Sequence, residues 1–200
     1  MTDSPTTTAT PKATDLPDID PQAYREVLGR FVTGVTVVTT LEQKADGEQP
    51  DQPWGTTVNS FTAVSLDPPL VLVCIGRGRS IHPIIERTRR FGVNVLGEGS
   101  QQLSDCFAGA PSTLPRSAFC NATYELSGSG TPVLDQAIAF LDCEVEKVIE
   151  AGDHTIYIGR VLETPTRDEP GWPLLYFRRR YLRIERAATA DLLGKADKLR

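Results

Sequence analysis

The stretch from Ala137 to Glu150 alternates at its centre: Leu141, Cys143 and Val145 are apolar, and Asp142, Glu144 and Glu146 between them are charged. Period-two alternation marks a strand with one face on a core and the other in water, which antiparallel sheets allow. Ala151-Gly152-Asp153 supplies a turn, and Thr155 to Leu162 continues as a second strand, so the two form a hairpin. Val35–Thr40, the Trp54–Ser65 run, Leu70–Ile75, Phe91–Leu96, Pro173–Phe177 and Tyr181–Ile184 add further short strands. Helical spacing is sparse: Tyr24, Val27, Leu28 and Phe31 after an Asp20-Pro21 start, a short segment through Ile81, Ile84 and Ile85, and Ser100 to Ala108. Many strands, few helices and no βαβ rhythm predict a mainly β protein, an antiparallel barrel with short helices.

Residues 1–19 are rich in Thr, Pro, Asp and Ser and read as a disordered leader, residues 20–186 as one globular domain, and residues 187–200 as a tail able to form a frayed surface helix. Within the domain, the first helix is expected from Pro21 to about Thr33, ending at Gly34. Leu41 to Pro53 is a polar, acidic loop. Leu70–Ile75, apolar throughout, is expected to be a central strand covered on both faces. Ser80 is placed to cap the second helix, and Gly109–Asn121 reads as irregular.

The apolar and charged fractions, 40% and 24%, are those of an ordinary globular chain. A formal charge of −5 argues against a nucleic-acid partner. No apolar run is long enough to span a membrane, and the N-terminus lacks a basic start followed by an apolar block, so a cytoplasmic protein is expected. Cys74, Cys106, Cys120 and Cys143 form no C-x-x-C pair. They could make two disulfides, but their expected role is that of small buried hydrophobes. With only His82 and His154, a histidine-rich metal site is not expected.

Familiar catalytic motifs are missing. Gly76-Arg77-Gly78-Arg79-Ser80-Ile81 begins like a dinucleotide fingerprint but lacks its third glycine, and neither a P-loop nor a G-x-S-x-G elbow occurs. Chemistry is suggested elsewhere. Trp54-Gly55-Thr56-Thr57-Val58-Asn59-Ser60 is strand-like yet offers short hydroxyl and amide groups, which suit a phosphate or the polar edge of a planar ring. A solvated edge strand would show the same threonines. Gly152-Asp153-His154 is an ordinary hairpin turn, but an imidazole there could also bond a carboxamide or a ring edge.

Taken in order, Gly34-Val35-Thr36-Val37-Val38-Thr39-Thr40, the Gly55-to-Pro69 run, Phe91-Gly92-Val93-Asn94-Val95-Leu96, Gly152-Asp153-His154 and Pro173-Leu174-Leu175-Tyr176-Phe177 resemble the flavin reductase-like, FMN-binding split-barrel family. The likeness runs from about Tyr24 to Glu185. It is nearest to the small reductase component of two-component flavin-dependent monooxygenases. The resemblance implies a homodimer of split barrels in which NADH or NADPH reduces FMN or FAD by hydride transfer. Reduced flavin then diffuses to a partner monooxygenase, and no acid–base residue is required. It further implies that Trp54, Gly55, Thr56, Thr57, Asn59 and Ser60 line the flavin, followed by Cys74 and Ile75, with Arg79 and Ser80 at phosphate and Asn94 and Phe119 less securely aligned. Asp153, His154, Tyr157 and Tyr181 fall to the nicotinamide side.

Two departures stand out. The Leu41–Pro53 loop is longer and more acidic than the family pattern, and Arg116-Ser117-Ala118-Phe119 replaces a basic stretch. Arg178-Arg179-Arg180 could meet a nucleotide phosphate, although charge runs usually face water. The alternatives are a non-catalytic flavin- or haem-binding carrier or sensor, and an interaction module that keeps the barrel.

Overall fold

The computed structural model describes residues 18–43, 51–164 and 171–185. Its centre is a seven-stranded antiparallel sheet. In chain order the strands are β2 (Thr36–Glu42), β3 (Gln52–Val58), β4 (Thr62–Leu66), β5 (Pro69–Gly76), β6 (Arg90–Leu96), β9 (Ala137–Ala151) and β10 (His154–Glu163). Their spatial order is β3-β2-β6-β9-β10-β5-β4. β1 (Thr33–Gly34), β11 (Leu175–Phe177) and β12 (Arg180–Leu182) form a small second sheet, and β7 (Tyr124–Leu126) pairs with β8 (Pro132–Leu134). Three helices accompany them: α1 (Pro21–Leu28), α2 (His82–Thr88) and α3 (Gln101–Ala108).

The alternating β9 segment pairs with β10 across the Gly152 turn, whose φ of +62° suits a residue without Cβ. β10 also pairs with β5, setting His154 opposite Gly76 and Tyr157 opposite Val73. The sheet curls on itself. Where β3 ends, the Ser60 hydroxyl accepts the Cys74 N–H at 2.9 Å and donates to the Cys74 carbonyl at 3.2 Å. The Ser60 side chain thereby continues the β4–β5 register, in which Thr62 faces Leu72, up to the point where β3 ends.

Two apolar clusters result. Phe91, Val93, Val73, Ile75, Cys143 and Tyr157 fill the inside of the curl. Val35, Val37, Leu96, Leu103, Phe107 and Leu174 pack beneath α3 outside it. β2 lies between these clusters and is buried along nearly its whole length. The strand covered on both faces is thus β2 rather than the Leu70–Ile75 run. In β5 only Val71, Val73 and Ile75 are buried, and the residues between them are half-exposed, because no helix covers that face.

Other expectations need correction. The Trp54–Ser65 run is two strands, β3 and β4, broken at Asn59-Ser60-Phe61. α1 stops at Leu28 with Gly29 closing it, and Gly34 belongs to β1. Ser80 does not cap α2: Ile81 holds that position and no side chain bonds the helix start. The segment expected to be irregular contains a 3₁₀ turn, Arg116–Asn121. Cys106 and Cys120 are joined in a disulfide, whereas Cys74 and Cys143 are free. The pairing was hidden because fourteen residues separate the two cysteines and only the return of the chain beneath α3 brings them together. The leader, the middle of the Leu41–Pro53 loop and the C-terminal tail lie outside the described residues, apart from a few positions at their edges. Among the described residues no helix is long and apolar enough to cross a membrane.

Candidate functional site

The end of β3, the Asn59-Ser60 break, the end of β5 and the start of β10 meet at one cleft of about 160 Å³. Its walls include Thr56, Thr57, Asn59, Ser60, Cys74, Ile75, Arg79 and His154, residues spread over a hundred positions of sequence. The β10–β5 register and the Ser60 bonds to Cys74 bring them together. Val58 and Gly76 complete the lining and were missed from sequence, since neither carries a polar side chain to signal a role. An apolar groove of about 680 Å³, floored by Phe31, Val32, Phe61 and Val95, shares Asn59 and Ser60 with the cleft. Together they offer the shape a large planar ring needs, apolar below with a polar rim.

The hydroxyls are largely committed. Thr57 donates to the Ser104 carbonyl of α3 at 2.7 Å, and Ser60 is taken up by Cys74. Asn59 is exposed and Thr56 is buried. Arg79 is exposed, with one guanidinium nitrogen donating to the Ala108 carbonyl at 2.8 Å, so its direction is fixed while its remaining N–H groups stay available. The loop that carries it is tied at Arg77 to the β9–β10 turn by two bonds. Arg77 N–H donates to the Asp153 carbonyl at 3.0 Å, and the Arg77 guanidinium bonds the Gly152 carbonyl.

At the cleft's other edge, His154 Nδ1 lies 2.7 Å from Asp153 Oδ1. That hydrogen bond, with the charge of His154 second, holds the Asp153 carboxyl below its ordinary range. The bond to Asp153 fixes the orientation of the ring and sets Nε2 on the Gly76 side, where a Cβ on Gly76 would lie 3.7 Å from it.

Several expected site residues lie elsewhere. Asn94 is fully buried: its amide donates to the Val37 carbonyl and Thr39 Oγ1, and its Oδ1 accepts the Leu134 N–H. It ties three strands together and has no bond left for a ligand. Tyr157 is likewise fully buried, donating to Glu86, which with desolvation drives its pKa far up. Tyr181 donates to Asp105 Oδ1 at 2.7 Å and shares a second hydrogen bond with the Ser104 hydroxyl at 3.0 Å, so it props α3. Trp54 packs on the inner cluster and donates to Glu42. Phe119 stacks edge-on against Phe107 and Tyr124. Gly55 is needed for closeness: a Cβ there would come within 2.6 Å of the Phe107 ring. Ser80 is exposed beside Arg79, and Arg178–Arg180 face solvent at the β11–β12 turn. A cavity of about 870 Å³ beside α3 contains none of the expected residues.

A curled antiparallel sheet with a hydroxyl-rich cleft, one anchored arginine and a histidine at a hairpin turn defines a split-barrel protein. Residues 28–185 match the family model described as flavin reductase like domain, and the chain belongs to that family. It is 41% identical over 168 residues to the flavin-dependent monooxygenase reductase subunit HsaB of Rhodococcus jostii, covering 84% of this chain and 80% of that one. It is 39% identical over 167 residues to the NADH-dependent flavin reductase StyB of Pseudomonas fluorescens, covering 82% and 90%. The solved styrene monooxygenase flavin reductase of Pseudomonas putida S12 superposes with a TM-score of 0.68 at 35% identity, over 81% of this chain and 97% of that one.

Proposed function

We propose that the cleft between β3, β5 and His154 is the flavin site of an NADH-dependent flavin reductase that supplies reduced FMN or FAD to a partner monooxygenase. The activity follows from the family and from relatives named for it; the residue assignment rests on the geometry. The observation that carries it is the convergence of Thr56, Thr57, Asn59, Ser60, Cys74, Ile75, Arg79 and His154 on one cleft. The donor set fits a flavin: hydroxyl, amide and backbone groups for a ring edge, one guanidinium for phosphate, and no carboxylate among the lining residues to repel it.

A flavin held by this cleft would supply the hydride-accepting chemistry, with a nicotinamide as the donor. The chain positions the partners. β3 and β5 form the wall, held at fixed spacing by Ser60. Arg79, steadied by Ala108, draws the phosphate, with the Ser80 hydroxyl beside it. His154, oriented by Asp153, presents Nε2 to the nicotinamide carboxamide. Hydride transfer of this kind is accelerated by alignment of the two rings and needs no proton donor from the protein. A carrier that only holds flavin has no need of a nicotinamide site, and the turn that presents His154 beside the cleft favours the reductase over that alternative.

The active form we propose is a homodimer, working in the cytoplasm. α1 has no buried residue, and Tyr24, Val27, Leu28 and Phe31 along it and just past it are more than half exposed. Leu28 and Phe31 border the apolar groove that meets the cleft at Asn59 and Ser60. A second copy covering this strip would bury it and wall the ring site.

The test is direct. NADH absorbance is followed in the presence of purified protein and increasing free FMN or FAD. Consumption that rises with added flavin is expected; a tightly held flavin that NADH does not reduce would favour the carrier.

A further inference from the structure

Phe119, Cys120 and Asn121 have φ of 50°, 57° and 52°, three successive non-glycine residues in the left-handed region. Each is disfavoured by the approach of its Cβ to the following carbonyl, so such a run persists only where its surroundings hold it. Within this run Cys120 is bonded to Cys106 of α3, and Phe119 packs between Phe107 and Tyr124. Both cysteines are buried, yet Cys120 borders the cavity of about 870 Å³.

α3 is also the element behind the proposed flavin wall. Ser104, two residues before Cys106, takes the Thr57 hydroxyl, and Ala108, two residues after it, takes Arg79. Phe107 stands against Gly55 of β3 and is wedged from its far side by Phe119, ring centroids 5.0 Å apart. Cleaving Cys106–Cys120 frees the left-handed turn, withdraws Phe119 from Phe107 and loosens the helix that aims Arg79. Where thiols are kept reduced, a disulfide is more often a sensor than a staple.

We propose that Cys106–Cys120 is a redox-modification site, closed by hydrogen peroxide and opened by a dithiol, whose closed form binds flavin more tightly. The coupling to flavin rests on the reductase reading; the thiol chemistry does not. One cysteine thiolate attacks peroxide and breaks its O–O bond, giving a sulfenic acid and hydroxide. The second thiolate attacks that sulfur and displaces a second hydroxide, forming the S–S bond. Two electrons pass from sulfur to oxygen, and the two thiol protons complete two waters. In reverse, an external dithiol attacks Sγ of Cys120 from the cavity side, and its second thiol resolves the mixed disulfide. The oxidant is at hand: reduced flavin released into solution gives two electrons and two protons to dioxygen, forming hydrogen peroxide.

The test treats the full chain with hydrogen peroxide or dithiothreitol, removes the reagent, then counts thiols under denaturing conditions with a maleimide and titrates FMN or FAD by fluorescence. Two labels, on Cys74 and Cys143, are expected after peroxide, and four after dithiothreitol. The flavin dissociation constant should be higher in the reduced form by about two- to tenfold, the effect of one net hydrogen bond. Cys120→Ser should hold flavin weakly after either treatment. Four labels after peroxide, equal affinities in the two states of the parent, or a Cys120→Ser protein that still responds like the parent would each overturn the proposal. A switch in label number with no flavin binding in either state supports the redox site and counts against the reductase reading.

Discussion

The Ser60 hydroxyl holds both backbone groups of Cys74, accepting its N–H and donating to its carbonyl. One small side chain thereby does where β3 ends what a strand pair does elsewhere in the sheet. Ser60→Ala strips a half-buried backbone N–H and C=O of their partner. It should lower stability by about 1–3 kcal/mol, measured by urea unfolding. Flavin affinity should fall as well, because β3 and β5 lose their fixed spacing; unchanged unfolding would show that water replaces the hydroxyl at no cost.

Gly55→Ala places a methyl within 2.6 Å of Phe107, whose ring is pinned by Phe119. Overpacking of this kind destabilises by roughly 1–3 kcal/mol. The variant should melt earlier than the parent, and Gly55→Ala combined with Phe107→Leu should recover part of the loss. Absence of recovery would mean that the strain lies elsewhere.

Asn94→Ala removes a buried amide that bonds Val37, Thr39 and Leu134. A loss of about 3 kcal/mol is expected from groups left unpaired. The KM for flavin should stay within error at temperatures where the variant is folded. A raised flavin KM without loss of stability would return Asn94 to the site.

His154→Ala should raise the KM for NADH much more than that for flavin. Asp153→Asn should act in the same direction but less strongly, since it perturbs the orientation of His154 without removing Nε2. Steady-state kinetics with each substrate varied in turn would exclude this role if NADH parameters did not move.

Alkaline stability offers a test of the α3 prop. Burial, first, raises the Tyr181 phenol from its ordinary 10.0 to about 12, and burial with Asp142 raises the Cys143 thiol from 9.0 to about 12. In the unfolded chain these groups release protons near their ordinary values, while the folded chain keeps them. The unfolded state then binds fewer protons, so stability is full below about pH 9 and declines as the pH rises towards 12. Tyr181→Phe should make that decline shallower. Equal losses of melting temperature over the same pH window in parent and variant would contradict it.

How much of this was legible in the chain depends on the range of the interactions involved. The β9–β10 hairpin was, because alternation and turn chemistry are local. So were eight of the ten residues that line the cleft, Val58 and Gly76 excepted, through the order of motifs shared with a family. What escaped depended on distant segments meeting. Nothing around Asn94 or Tyr157 distinguishes a buried network from a binding site; only the strands that cover them decide it. The break at Asn59-Ser60-Phe61 was hidden because two turn-forming residues inside a β-branched run were read as polar groups on a continuous strand. The disulfide was hidden because Cys120 reaches Cys106 only after the chain has turned back beneath α3.

The hydroxyls of Thr57 and Ser60 face carbonyl and amide atoms of their own chain. That leaves a grip made of shape and a single cation, without a dense web of donors to be broken on exit. For a protein whose cargo must be handed to someone else before air spoils it, a loose hand would be an advantage, since few bonds would have to break on departure.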